Sequence, residues 1–280
     1  MLLRSAFTSA VQQLTDAHVG SPRLNAEILL MFVLNSDRAY LYAHPERELT
    51  PEEDTRYREA LARRASGVPS QYITGHQEFW GLDFIVTPAV LIPRPETEHL
   101  IEAVLPLAKA LPCPRIADVG TGSGCIAITL ATELPEAEIY ATDISAAALE
   151  IARANATRHK QHARIKFHET DLLRGLPSNY FDFVVSNPPY VGESEEDAVQ
   201  LEVRKHEPRT AIFAGPRGTE VIERLIPEAR AALRPGGRLL MEISGTIAES
   251  VEALLRAWGE VNMLPDLQGI SRIVVARKPS

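Results

Sequence analysis

Apolar positions recur along this chain with two different periods, and the change of period divides it. Near the start, Ala6, Phe7, Ala10, Val11, Leu14 and Ala17 return at helical spacing, with Gly20 as a stop. Ser21 stands as an N-cap before Pro22 in the first helical position, opening a second helix through Ile28, Leu29, Met31, Phe32 and Leu34. Ser36 reads as the cap of a short helix ending before Pro45. Thr50-Pro51-Glu52-Glu53 reads as a capping box whose helix closes at Gly67. Residues 1–72 are therefore expected to form a helical domain. It holds no titratable cluster that suggests chemistry, so its expected role is recognition.

The period then shortens. In Glu78-Phe79-Trp80-Gly81-Leu82-Asp83-Phe84-Ile85-Val86, aromatic and β-branched residues flank a turn placed at Gly81-Leu82-Asp83, so residues 73–93 read as a hairpin linker. From residue 94 to 280, strands alternate with helices. Ile116–Val119, Ile139–Asp143, Ile165–His168, Phe181–Val185, Arg238–Ile243 and Arg272–Arg277 are the strands, separated by helical runs. That alternation predicts a doubly wound α/β sheet, whose ligands bind outside the carboxyl ends of the strands.

Every candidate functional residue falls at such an end. The first strand runs into Gly120-Thr121-Gly122-Ser123-Gly124, a glycine-rich turn that lets a ligand approach backbone N–H groups at a helix start. Asp143 closes the next strand, where a carboxylate accepts both hydroxyls of a ribose. Asp171 and Leu172 follow the third, placed to flank an adenine. The turn lacks the last glycine of a dinucleotide fingerprint, because Cys125 stands there, and no Lys-Ser/Thr pair follows to clamp phosphates. A nucleoside bearing an amino-acid chain suits it better, and S-adenosylmethionine answers that description. Cys125 itself reads as a small buried residue.

Asn187-Pro188-Pro189-Tyr190 follows the fourth strand. Two prolines fix φ twice and remove two donors, so the turn is stiff and leaves carbonyls unpaired. The Asn187 side-chain oxygen and the Pro188 carbonyl are expected to accept the two hydrogens of a planar NH2 group. Pro189 keeps the turn rigid, and Tyr190 is expected to offer an aromatic face to that group. Arg94 and Glu98 read as an ordinary surface pair, and Leu91-Ile92-Pro93 as an apolar lid. The histidines read as surface residues, and none is placed as a base.

Composition narrows the partners. The 280 residues are 45% hydrophobic and 24% charged, with a net charge of −8, which disfavours broad nucleic-acid binding. Two cysteines make no disulfide framework, no Cys/His spacing matches a zinc site, and no metal is expected. No apolar run is long enough to span a bilayer. A cytoplasmic monomer is expected.

The block Glu78-Phe79-Trp80-Gly81, the run Ile92-Pro93-Arg94-Pro95-Glu96-Thr97-Glu98, the loop Asp118–Gly124 and the turn Asn187–Tyr190 occur in this order. Together they resemble the PrmC/HemK family of protein-(glutamine-N5) methyltransferases, over nearly the whole chain. The resemblance implies a class I methyltransferase fold, Rossmann-like with seven strands, behind the small helical domain. It implies transfer of a methyl group from S-adenosylmethionine to the glutamine amide of a Gly-Gly-Gln loop in peptide-chain release factors, leaving S-adenosylhomocysteine. Asn187, Pro188 and Tyr190 would then be catalytic and, with Pro189, substrate-binding. Gly120–Gly124, Asp143, Asp171, Leu172 and Asn187 would hold the cofactor. Ser244-Gly245 and Ser271 depart from the family pattern. Adenine-N6 methylation of nucleic acid and glutamine methylation of a ribosomal protein are the alternative uses of the same turn. A dinucleotide-dependent oxidoreductase and a non-catalytic binding module are less supported.

Overall fold

The computed structural model describes residues 1–266 and 268–279. It separates into two compact units, Met1–His76 with Gln200–His206, and Gln77–Val199 with Glu207–Ser280. The helical unit is thus assembled from two stretches of chain. The short helix Leu201–His206 lies far along the sequence yet belongs to it, and its Glu202 carboxylate pairs with the buried Arg64 guanidinium at 2.6 Å.

The helical unit contains Leu3–Asp16, Pro22–Leu34, Arg38–Ala43, Pro51–Ala65 and Ser70–Thr74. Leu14, Leu29, Leu30 and Tyr57 are its largest fully buried side chains, and the Tyr57 hydroxyl donates to the Ala26 carbonyl at 3.0 Å. The capping box forms as expected, with Thr50 Oγ1 accepting from the Glu53 N–H and Glu53 accepting from the Thr50 N–H. Three details differ from expectation. The first helix stops at Asp16, short of Gly20. Ser21 sits in the left-handed region and makes no side-chain cap; the Asn25 amide instead donates to the Gly20 and Ser21 carbonyls. Asp37, not Ser36, caps the third helix, its carboxylate accepting from the Tyr40 N–H at 2.7 Å.

The second unit is built on seven strands: β1 Arg115–Val119, β2 Glu138–Asp143, β3 Ile165–Glu169, β4 Phe181–Ser186, β5 Leu233–Glu242, β6 Val261–Pro265 and β7 Ser271–Arg277. Their order across the sheet is β6-β7-β5-β4-β1-β2-β3. Strands β1 to β5 run parallel, and β7 is antiparallel to both its neighbours. Successive side chains alternate between faces, yet both sets are apolar because helices cover both sides. Ile116, Phe183, Val185 and Leu240 pack with helices Glu98–Ala108 and Cys125–Glu133. Ala117, Val184, Leu239 and Met241 pack with Glu220–Ala232 and Ala248–Leu254.

The hairpin pairs His76–Phe79 with Leu82–Ile85. Its turn is Trp80-Gly81, one residue earlier than the spacing suggested, with φ of +54° and +70°. Positive φ at both central residues is the pattern that matches strand twist in a two-residue hairpin. The strained Trp80 is held by two hydrogen bonds, its N–H to Glu98 at 2.8 Å and its indole N–H to Glu133 at 3.1 Å. Glu98 is therefore not the partner of Arg94.

Candidate active site

The loops at the carboxyl ends of β1 to β4 enclose a cavity of about 340 Å³. Its wall includes Gly120–Ser123, Asp143, Asp171, Leu172, Asn187 and Pro189, together with Ala89–Leu91, Pro93 and Arg94 from the segment after the hairpin. Its size suits a small-molecule site. Most of the expected cofactor residues thus meet in one place, although they come from four strand ends.

The glycine turn is shaped by conformation and by space. Gly120 and Gly122 have φ of +72° and +54°, and a Cβ at either would meet nothing within 4 Å, so their backbone faces open cavity. Gly124 does a different job: its Cβ would lie 2.9 Å from the Ile128 side chain and 3.2 Å from Ala152, so this glycine lets two helices close. Beneath the turn, the Asp118 carboxylate accepts from Thr121 Oγ1 at 2.6 Å and from the Ala127 N–H at 3.1 Å, tying the turn to its helix. Burial pushes Asp118 up to about 7 against those hydrogen bonds. Cys125, buried at the helix start, is pushed up to about 12 by the same cause, which makes it a poor nucleophile.

Asp143 accepts from the Gly122 N–H and the Ser145 N–H, each at 2.9 Å, and still lines the cavity. Burial raises its pKa, opposed by those backbone donors. A carboxylate beside an open glycine backbone and a largely apolar wall fits a nucleoside with an amino-acid tail. Asp171 lies in the same wall, where it pairs with Arg224 and, at 3.6 Å, with Arg174.

Asn187 reaches the cavity, and its Nδ2 donates to Thr97 Oγ1 at 2.9 Å. Thr97 in turn donates to Glu242 Oε2 at 2.6 Å, while the Tyr190 hydroxyl donates to Glu242 Oε1 at 3.1 Å. Burial raises the pKa of Glu242 and of Tyr190, the bonds from Thr97 and Tyr190 working against it at Glu242. Pro188 is buried, and neither it nor Tyr190 forms part of the cavity wall; the Tyr190 ring packs on the apolar cluster of β5 and its covering helices. The ring is thus partly buried against that cluster and outside the cavity wall, where an aromatic face for substrate was expected.

Arg94 is paired with Glu207 at 2.6 Å, and the other Glu207 oxygen accepts from the Ile92 N–H at 3.1 Å. This corrects the reading of Arg94 and Glu98 as a surface pair. Glu207, 5% exposed, fixes the Leu91–Arg94 wall, in which Ile92 is buried while Leu91 and Pro93 face the cavity. No histidine is among the lining residues. Thr97, Glu207 and Glu242 were not singled out from sequence as site residues. The signal at Glu242 was a lone acid at the end of the apolar run Leu239–Ile243, again at a strand's carboxyl end.

A seven-stranded sheet with one reversed strand next to its edge, a glycine turn after β1 and an acid ending β2 define a class I S-adenosylmethionine-dependent methyltransferase. The ribosomal protein L11 methylase of Lactobacillus delbrueckii subsp. bulgaricus shares the fold at a TM-score of 0.52 and 21% identity, over 70% of this chain and 84% of that one. The family models described as PrmC N-terminal domain and Methyltransferase small domain match residues 5–75 and 97–206. The release factor glutamine methyltransferase of Koribacter versatilis is 56% identical over 100% of both chains. That of Moorella thermoacetica is 44% identical over 99% of this chain and 98% of its own. The chain belongs to the release factor glutamine methyltransferase family.

Proposed function

We propose that this enzyme methylates the side-chain amide N5 of the glutamine in the Gly-Gly-Gln motif of peptide-chain release factors, using S-adenosylmethionine. The observation that carries the reading is the placement of the Asn187 carboxamide in the wall of the cavity that the glycine turn and Asp143 also line. The full-length similarity to release factor glutamine methyltransferases supports the choice of substrate.

When bound, the cofactor supplies an electrophilic methyl group on a sulfonium. The open backbone of the Gly120–Gly124 turn would pack against its amino-acid tail, Asp143 would hold its ribose, and Asp171 with Leu172 its adenine. An amide nitrogen is a weak nucleophile because its lone pair is delocalised, so the protein's task is alignment. Asn187 Oδ1 would accept an amide hydrogen, favouring the more positive nitrogen as the bond forms, while Pro188, buried outside the cavity wall, holds the turn that presents it. Tyr190 serves by anchoring Glu242 rather than by facing the substrate. The N5 proton would leave to water, since no histidine lines the cavity.

Asn187→Ala is the test. Turnover on purified release factor is expected to fall about 100-fold or more, with cofactor affinity changed less than about threefold. Near-normal turnover would remove the assignment. Incubating the enzyme with labelled methyl donor and release factor, ribosomes or DNA, followed by peptide and nucleoside mapping, distinguishes the glutamine substrate from its rivals.

A further inference from the structure

We infer that Thr97 and Glu242 are positioning residues which decide which end of the Asn187 carboxamide faces the cavity. The inference deepens the function proposed above and rests on it. As the carboxylate, the form that its two hydroxyl donors favour against the upward pull of burial, Glu242 only accepts hydrogen bonds. Glu242 Oε2 lies 2.6 Å from Thr97 Oγ1, a separation typical of a hydroxyl donating to a carboxylate. The single Thr97 hydroxyl proton is thereby committed to Glu242, and Thr97 offers Asn187 nothing but lone pairs. The Asn187 group that meets it at 2.9 Å must then be the NH2 end. Oδ1 is turned the other way, where it has no hydrogen-bond partner among the described residues and is left for a ligand.

The other Glu242 oxygen accepts from the Tyr190 hydroxyl at 3.1 Å, so each oxygen of the carboxylate faces a donating hydroxyl. Thr97 and Glu242 are each 2% exposed, and water does not compete for their bonds. A flipped Asn187 would set oxygen against oxygen with no hydrogen between them. For a substrate that is itself an NH2 group the distinction is decisive: an outward Oδ1 grips it, and an outward NH2 repels it. Directionality in a side chain that cannot choose its own flip is therefore imposed from β5, through one hydroxyl.

The test compares three variants in the full chain. Thr97→Val keeps the shape and removes the hydroxyl. Glu242→Gln keeps the shape but replaces one acceptor oxygen by an NH2 group, so that Thr97 and Tyr190 can no longer both donate to it. Thr97→Ser keeps the hydroxyl. The first two are expected to lower kcat about 10- to 100-fold. The KM for purified release factor and the cofactor Kd should stay within about threefold, and Thr97→Ser should keep kcat within the same margin. Adding Thr97→Val to Asn187→Ala should cost nothing further, because both act through one carboxamide. Normal kcat in Thr97→Val, or a double variant that multiplies the two losses, overturns the inference while leaving Asn187 in place. Loss of cofactor binding in both Thr97→Val and Glu242→Gln would assign the network to folding and overturn it too. Normal turnover in Asn187→Ala alone would instead remove the proposed grip itself.

Discussion

Asp118, Asp143 and Glu242 are carboxyl groups drawn out of water around one cavity, and each meets that cost with different partners. Asp118 has the most direct consequence for stability. Its folded-state pKa of about 7 lies above the usual carboxylate value, so between about pH 4 and 7 the folded chain holds a proton that the unfolded chain has released. Its contribution to stability is therefore lost as pH rises through that window, at up to about 1.4 kcal/mol per pH unit, and levels off above it. Compared with Asp118→Asn in urea melts at several pH values, the wild-type chain should lose ground from acid toward neutral. Parallel curves would mean that Asp118 is ionised in the folded state. At this scale much of the site was legible. Asn187, Asp143 and the glycines announce themselves by motif and by position after a strand. Thr97 lies in the Ile92–Glu98 run and Glu242 in an apolar strand, but neither shows its role there, because it lies in a hydrogen bond between distant residues that exists only once β5 is in place.

Among the elements, the hairpin shows what local pattern does and does not reveal. Its two strands follow from alternating side chains, but tryptophan at positive φ is uncommon, and the true turn was missed by one residue. The stabilising partner comes from elsewhere. Asn155, fully buried on the helix Ala146–Arg158, accepts from the Ile85 N–H at 2.7 Å and donates to the Ile85 and Ser123 carbonyls, each at 2.9 Å. One side chain therefore joins the hairpin, a helix and the glycine turn. Asn155→Ala leaves buried backbone groups unpaired and should cost about 2–5 kcal/mol in denaturant unfolding, with weakened cofactor affinity. A loss near zero would show that water or a shifted loop replaces it. The exit from the Asn187–Tyr190 turn is similarly fitted. A Cβ on Gly218 would lie 2.7 Å from the Tyr190 carbonyl oxygen, so the turn is pressed against a backbone that only glycine allows. The alternation of strands and helices was readable because apolar periods are long. The fits between elements were not, because they depend on contacts that no spacing encodes.

For the whole chain, charge and connectivity matter more than any one contact. A net charge of −8 supplies no broad basic footprint. We expect no retention on duplex DNA at about 0.15 M salt, where binding without phosphate contacts is negligible; retention with a steep salt dependence in a mobility-shift titration would revive the nucleic-acid reading. Among the described residues no helix is long and apolar enough to cross a membrane. The sequence suggested a helical domain ending at residue 72. The structure's first compact unit extends to His76 and takes in Gln200–His206 as well, an addition invisible to composition because six residues of helix carry too little pattern.

That late addition bears on synthesis. A ribosome delivers the first helices long before Glu202, so the nascent bundle must hold the Arg64 guanidinium with Asn25 and the Val68 carbonyl as its protein partners until the distant acid emerges. The bundle is completed only after β1 to β4 have been made, which couples the two halves in time. No single cut in the polypeptide releases either half intact.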